Sequence, residues 1–276
     1  IGGGLLLALN VVAVLVGGDA HKSEIARYSI VSAGIWWAAW TTVPLVRLRN
    51  RPAVAGEARG PVLTDGFKQL GRTLRHIKGY PLTLFFLIAY LVYNDGIQTV
   101  ISQASVFADK QLHLEQSTQV TTILMVQFLA FFGALLLGWL ARVWGAWRTV
   151  LGSLVVWTVV LGLAYALPAG RPLQFMLLGA LIGIVLGGSQ ALSRSLFSQL
   201  IPKGQEAEYF GLYEISSDGT SWLGPLLFGL SYQATHNYRV AIISLLAFFV
   251  LGFVLLLSVP MRRAIVAAGN VPPKIV

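Results

Sequence analysis

Four ionisable side chains stand inside long apolar runs of this sequence: Asp95, Arg194, Glu214 and Asp218. A charge at bilayer depth costs on the order of 2.5–3.5 kcal/mol on insertion scales, so such residues mark sites that handle protons, ions or a polar solute. Counted from Pro81, Asp95 lies roughly 21 Å along a helix rising about 1.5 Å per residue, toward the outer third of a hydrocarbon core of about 30 Å. Asn94, Gln98 and Ser102 recur at every fourth position, and Gln98 follows Asp95 by three, which sets one polar stripe on that helix. The stripe either lines a central cavity or is satisfied by neighbouring helices. Gly96, beside Asp95, would permit local unwinding.

The other three belong to a helical hairpin. Arg194 precedes the turn at Ile201 by about the distance at which Glu214 follows Glu208, so the two sit at similar depth. Gln190 and Asp218, one turn deeper, match in the same way, and each helix carries its two residues at i, i+4 on one face. This predicts a buried Arg194–Glu214 ion pair and a Gln190–Asp218 hydrogen bond, leaving Asp218 the acid better placed for reversible protonation. The other reading is an ion pair that only holds the hairpin together. A buried pair is costly to break from one side, so Arg194→Ala alone does not separate the two. Gly179, Gly183 and Gly187, continued by Ala191 and Ser195, repeat every four residues, a spacing that lets helix backbones pack closely in lipid. Gly224-Pro225 removes a backbone donor and predicts a kink.

Other chemistries lack their residues. There is no cysteine, hence no disulfide and no thiol nucleophile. His21, His76, His113 and His236 fall in loops or in the central connector, none at metal-ligand spacing, and no nucleotide-binding loop occurs. No metal, no cofactor and no enzymatic activity are expected, and any transport would draw on gradients. Trp36, Trp37, Trp40, Trp144, Trp147 and Trp222 lie near span ends, where interfacial anchoring accounts for them.

The elements that must position these residues follow from composition. Of 276 residues, 56% are hydrophobic and 11% charged, against roughly 25% charged in a soluble domain, and the mean hydropathy is +0.72. This predicts an all-α integral membrane protein and excludes a soluble enzyme, a secreted disulfide scaffold and a disordered chain. Apolar runs predict eight transmembrane helices near 1–17, 28–46, 81–103, 118–141, 148–167, 172–199, 209–232 and 239–259. The runs are continuous and too long for a membrane β-barrel. With those spans, fifteen of the twenty Lys and Arg fall on one side; Lys22, Arg27, Lys110, Arg171 and Arg239 fall on the other. The loop 47–80 and the C-terminus are therefore expected on the cytoplasmic side. Topology thereby explains most of the net charge of +9, and nucleic acid is not an expected partner. Within the loop, Leu63, Phe67, Leu70, Leu74 and Ile77 share a helical face, with Lys68, Arg72, Arg75 and Lys78 around it. This predicts an amphipathic helix on the cytoplasmic leaflet, either a tether between bundles or a lipid or partner site. Residues 1–17 are apolar without a basic leader, so they read as a span and not a signal peptide, and the sequence is expected to be a fragment cut from a longer protein.

The segments IGGGLLLALN (1–10), YNDGIQTV (93–100), GGSQALSRSLFSQL (187–200) with Ile201 to Gly204, Glu208 to Tyr213, and LGPLLFG (223–229) resemble the major facilitator superfamily. More narrowly they resemble its branch related to the autophagy-associated vacuolar amino-acid effluxers. That resemblance implies a twelve-helix, two-bundle secondary transporter working by alternating access, of which helices five to twelve are present. The expected organisation is then 1–46 as the last two helices of the N-terminal bundle, 47–80 as connector, 81–260 as the six-helix C-terminal bundle and 261–276 as a cytoplasmic tail. One departure is clear. Gly138-Trp-Leu-Ala-Arg142-Val143-Trp144-Gly145 resembles the superfamily's G-x-L-A-D-R-x-G loop but has Arg142 where Asp is usual and Val143 where Arg is usual, so the loop's usual charge pair cannot form.

The expected function is secondary active transport of a small polar solute, such as an amino acid in efflux, coupled to protons through Asp95 or Asp218. The expected setting is a bacterial inner membrane, and the expected state a monomer. Two rivals from other classes are a lipid-handling membrane protein and a non-transporting scaffold or sensor.

Overall fold

A computed structural model of the chain describes residues 2–17, 22–48, 71–219 and 221–275. The chain falls into two compact units, Ile1–Thr64 and Asp65–Val276. All regular structure among the described residues is helical, as lipid demands of a chain whose backbone groups must be satisfied within each segment.

The first unit pairs α1 (Gly2–Gly17) with α2 (Lys22–Arg47). Asn10 and Ser32 exchange hydrogen bonds of 3.2 Å across the pair. Thr41 and Thr42 turn their hydroxyls back to the carbonyls of Trp37 and Ala38, so α2 carries no open hydroxyl at those positions. Trp37 and Trp40 point outward from the pair.

In the second unit α3 (Pro81–Lys110) is the central helix, started by a proline at its first position, where no intrahelical N–H is required. It buries Phe86, Tyr90, Tyr93, Asn94, Asp95 and Ile97, among others. α4 (Gln116–Trp144) and α5 (Ala146–Ala166) are joined through Gly145, whose φ of 94° is open to glycine at little cost. α6 (Pro172–Ser198) lies against α4 along much of its length. The small residues set that approach: a Cβ on Gly183 would come within 2.9 Å of Leu129 Cβ and 3.0 Å of the Val126 carbonyl, one on Gly179 would meet Thr122, and one on Gly187 would run into the Ala130 carbonyl.

The segment expected to span 209–232 is instead two helices, α7 (Glu206–Asp218) and α8 (Leu223–Thr235). Pro225 is the third residue of α8, where its missing N–H is harmless, and its ring excludes the carbonyl a helix would place four residues earlier. Regular helix therefore stops at Asp218 and resumes at Leu223, ahead of Pro225. α9 (Tyr238–Ser244) and α10 (Leu246–Leu257) follow, and then α11 (Met261–Ala267).

By length and apolarity six helical stretches among the described residues suffice to cross a membrane: Arg27–Arg47, Pro81–Lys110, Gln116–Trp144, Ala146–Ala166, Pro172–Ser198 and Tyr238–Leu257. Gly2–Val14 is apolar but shorter. The expected count of eight includes this helix and the interrupted α7–α8 pair.

Two local expectations are corrected. Gly96 does not unwind α3; the helix runs through it, and a Cβ there would stand 2.9 Å from Phe248 Cβ. Of the predicted amphipathic face, Leu63, Phe67 and Leu70 lie outside the described residues, as does Lys68. In the helical residues 71–76 and the 3-10 turn Ile77–Gly79 it is Thr73 and Ile77 that are buried, while Leu74 is exposed. The cause is specific pairing, since the Thr73 hydroxyl donates to Glu208 Oε2 at 2.7 Å and His76 Nδ1 lies 3.3 Å from the Tyr209 hydroxyl. The segment after α10 packs onto the unit: Met261, Ala264 and Ile265 are buried, and Asn270 Nδ2 donates to the carbonyls of Gln199 and Ile201.

Cross-links define two ends of this unit. At one, Gly170 N–H donates to the Leu112 carbonyl, and Arg239 donates to the carbonyls of Tyr165 and Leu167. At the other, Trp147 Nε1 donates to the Leu256 carbonyl and Thr83 Oγ1 to that of Leu200.

Because a Cβ at Gly187 meets backbone and one at Gly162 meets nothing within 4 Å, Gly187→Ala is expected to cost about 1–3 kcal/mol and to lower the thermal unfolding midpoint. Gly162→Ala, in the interior of α5 with open space at the Cβ, does not lower it. A tag-fluorescence melt of both variants in detergent reads the difference, and equal midpoints contradict this packing.

Candidate functional site

The site is assembled where α3, α6 and the break between α7 and α8 meet. Asn94 Nδ2 donates to the Ser217 carbonyl at 3.2 Å and reaches its Oγ at 3.4 Å, and the Tyr90 hydroxyl donates to the same Oγ at 3.3 Å. Two side chains of α3 thus hold the last turn of α7, just before the helix stops. Across the break, the Ser221 hydroxyl donates to the carbonyl of Asp218 at 2.9 Å, and the Ser221 N–H to the same carbonyl at 3.3 Å. The frayed end is in this way satisfied from within.

On α6, the Ser193 hydroxyl donates to the Ser189 carbonyl at 2.6 Å, so its single proton is in use. The Tyr93 hydroxyl, 2.6 Å from Ser193 Oγ, is then the donor of that bond. The aromatic rings form a continuous series: Phe86 against Phe197, Phe197 against Tyr213 at 5.0 Å, Tyr213 against Tyr90 at 4.2 Å, and Tyr90 edge-on to Tyr93. Offset-stacked and edge-to-face pairs at these distances add about 0.5–1.5 kcal/mol each beyond the area they bury.

Asp95 differs from Tyr90, Tyr93 and Asn94: it is 1% exposed, and neither carboxyl oxygen makes a hydrogen bond of ordinary geometry among the described residues, the Gly224 N–H being the donor that faces it. Its neighbour is the first turn of α8: a Cβ on Gly224 would run into Thr99 Oγ1 and stand 3.2 Å from the Asp95 carbonyl, so only glycine lets α8 begin here. An unpartnered buried carboxylate is costly, so charge on Asp95 requires a cation, a donor or water to be brought to it.

The hairpin residues divide. The Arg194 guanidinium donates from Nη2 to Glu214 Oε1, and its Cζ lies 5.7 Å from the Phe210 ring centre and 5.9 Å from that of Tyr213. The pair is not buried, since the two side chains are 58% and 50% exposed, on a face that this unit leaves open. An exposed pair of this kind contributes about 0–1 kcal/mol. The expected Gln190–Asp218 bond does not form: Gln190 is half-buried, and Asp218, the last residue of α7, is exposed. Matched depth sets height along a helix but not the direction in which a side chain points. The stripe on α3 also divides, with Asn94 and Asp95 buried, Gln98 half-buried, and Ser102 exposed with its hydroxyl on the Thr99 carbonyl. Asn94 is taken by a neighbouring helix, whereas Asp95 is not. Arg142 of the divergent loop is exposed, in no ion pair among the described residues.

The ring series and the helix break were not singled out from sequence. Ser216-Ser217-Asp218-Gly219 ahead of Gly224-Pro225 is the signal for the break. Tyr90 and Tyr93 in an apolar helix are the signal for hydroxyls in need of partners.

A family model described as "Vacuole effluxer Atg22 like" matches residues 1–269. An uncharacterized MFS-type transporter, YxiO of Bacillus subtilis, is 30% identical over 238 residues, covering 86% of this chain and 54% of its own length. Autophagy-related protein 22 of Kluyveromyces lactis is 27% identical over 264 residues, covering 89% of this chain and 54% of its own. The protein of the same name from Saccharomyces cerevisiae strain S288c is 26% identical over 285 residues, with shares of 91% and 52%. The chain spans about half the length of these relatives. No solved structure matches it.

Since Asn94 is buried and bonded while the Arg194–Glu214 pair is open, Asn94→Leu is expected to destabilise by about 1–3 kcal/mol through the unpaired groups it leaves. Glu214→Gln is expected to cost less than about 1 kcal/mol. Thermal melts of the two variants test the order, and a greater loss in Glu214→Gln contradicts the assignment of Asn94 as the anchor of α7.

Proposed function

This chain belongs to the Atg22-like vacuole effluxer family, related to the major-facilitator transporters, and from that premise we propose that it works in secondary active transport of a small polar solute by alternating access. Amino-acid efflux is the class to test first, with protons as the coupling ion. The fold proposed is the major-facilitator type, with eight of twelve helices on this chain: α1 and the interrupted α7–α8 pair cross along with the six long stretches. Residues 1–46 close the N-terminal bundle, 47–80 connect, and 81–260 form the six-helix C-terminal bundle. The distribution of Lys and Arg supports a cytoplasmic position for 47–80 and the C-terminus, and the Bacillus relative supports a bacterial cell membrane as the setting.

The observation that carries the coupling proposal is Asp95, a carboxyl buried at mid-helix, without a partner, against the start of a broken helix. Broken helices at membrane depth are where transporters place ion and substrate sites, because backbone groups and helix ends become available there. In the state described, Asp95 is sealed between α3 and α8. A movement of α8 that let in water or solute would expose it, and the proton it holds or loses would follow that movement. Tyr90, Asn94 and Ser217 anchor the α7 side by hydrogen bonds, so the proposed movement is assigned to α8. Asp218 is better solvated, so we rank it second as a proton carrier. Gln98 and Gln190, both half-buried, remain candidates for solute contact, and Arg194 with Glu214 for a gate.

The test is a proton-flux assay on the full-length protein in liposomes loaded with a pH-sensitive dye, with amino acids, sugars and small peptides added singly. The expected result is a solute-dependent pH change that Asp95→Asn abolishes while labelled-solute counterflow persists, since counterflow needs no net proton movement. Normal proton flux in Asp95→Asn contradicts the role of Asp95. Absence of counterflow with every solute contradicts transport itself.

A further inference from the structure

We propose that the end of the second unit formed by the α4–α5 turn, the end of α10 and α11 is a binding site for a phosphate-bearing anion, presented either by an acidic lipid headgroup or as free phosphate. A cavity of about 770 Å³ opens there. Its charged lining is of one sign, with Arg148, Arg262, Arg263 and Lys274 and no carboxylate. None of these four is in an ion pair among the described residues.

The cations come from three distant parts of the sequence, and the fold gathers them. Gly145 turns α4 into α5, and the Trp147 indole N–H donates to the Leu256 carbonyl at 3.0 Å, setting Arg148 beside the end of α10. α11 buries Met261, Ala264 and Ile265, which leaves Arg262 and Arg263 on its open side. Arg262 Nη2 donates to the Lys274 carbonyl at 2.8 Å, drawing the tail across the mouth of the cavity. Four like charges held together repel one another until an anion joins them. Guanidinium groups match phosphate oxygens through paired N–H donors. The rest of the lining is largely apolar, with Val143, Trp147, Val259 and Met261, which suits the glycerol and upper acyl part of a lipid. Basic pockets between helices at the cytoplasmic face bind acidic headgroups in this way. The inference rests on the proposed topology only in taking this end as the cytoplasmic one, and it does not require transport.

The full-length protein is placed in phosphatidylcholine nanodiscs containing a minor share of phosphatidylglycerol, and bound lipid is counted by native mass spectrometry after release. In a parallel arm, inorganic phosphate alone is titrated against the thermal midpoint in uncharged detergent. Both arms use Arg148→Gln/Arg263→Gln, which spares the Arg262 bond, the charge-keeping Arg148→Lys/Arg263→Lys, and Lys110→Gln/Arg171→Gln at the opposite end. Preferential retention of phosphatidylglycerol, weakened on the order of tenfold in the glutamine pair and kept in the lysine pair and the opposite-end control, supports the site with lipid as its source. A saturable phosphate shift lost only in the glutamine pair, without lipid preference, supports it with free phosphate. No preference and no shift, or effects unchanged in the glutamine pair, overturn it. Neither arm reads solute transport, so failure of the transport reading leaves this result standing.

Discussion

Hydrocarbon offers no hydrogen bonds, so each polar group on a membrane-spanning helix has to find its partner inside the protein, and the arrangement around α3 follows from that constraint. Tyr90 and Asn94 are satisfied by Ser217, Tyr93 by Ser193, and Thr99 by the carbonyl four residues before it. The bonds to Ser217 and Ser193 fix the heights of α7 and α6 against α3, and the ring series from Phe86 to Tyr93 fills the space between them. Against that background Asp95 is the acid among the described residues that the fold encloses without a hydrogen-bond partner, as it also encloses the Trp157 indole N–H. That enclosed acid is the feature on which the proposed coupling rests.

The same constraint explains why the interruption in α7–α8 lies where it does. Freed backbone groups at a helix break are tolerated at depth only where protein covers them. Here Asn94 and Ser221 take up the carbonyls at the end of α7, and Gly224 lets α8 start directly on α3. On the opposite flank, the packing of α6 on α4 involves small residues and backbone, an arrangement without polar bonds to break. α7 is therefore held on α3 by hydrogen bonds, whereas α6 is held on α4 by shape.

Much of this was legible in the sequence, for reasons that can be stated residue by residue. Apolar runs located the long helices because length and hydropathy alone decide whether a segment fits lipid. Arg194 and Glu214 meet as expected, since opposite charges at one depth attract across a hairpin, but their exposure could not be read because it depends on what covers the outer face. Gln190 and Asp218 failed because depth leaves rotation about the helix axis undetermined. A kink was expected at Gly224-Pro225, whereas the helix stops about one turn earlier, at Asp218, because Pro225 takes effect on the chain before it. Leu74 matched an apolar period, yet Thr73 is buried instead, because Glu208 offers its hydroxyl a partner that no periodicity reveals. The cationic cavity was invisible, since Arg148, Arg262, Arg263 and Lys274 come together only in three dimensions.

The central claim is that the protonation of Asp95 changes with solute binding. Solute-induced difference infrared spectroscopy of the full-length protein reads this directly, through the stretch of a protonated carboxyl group. The account predicts a carboxyl band that appears or disappears when a transported solute is added and is missing from the difference spectrum of Asp95→Asn. An identical difference spectrum in the wild type and Asp95→Asn would contradict it.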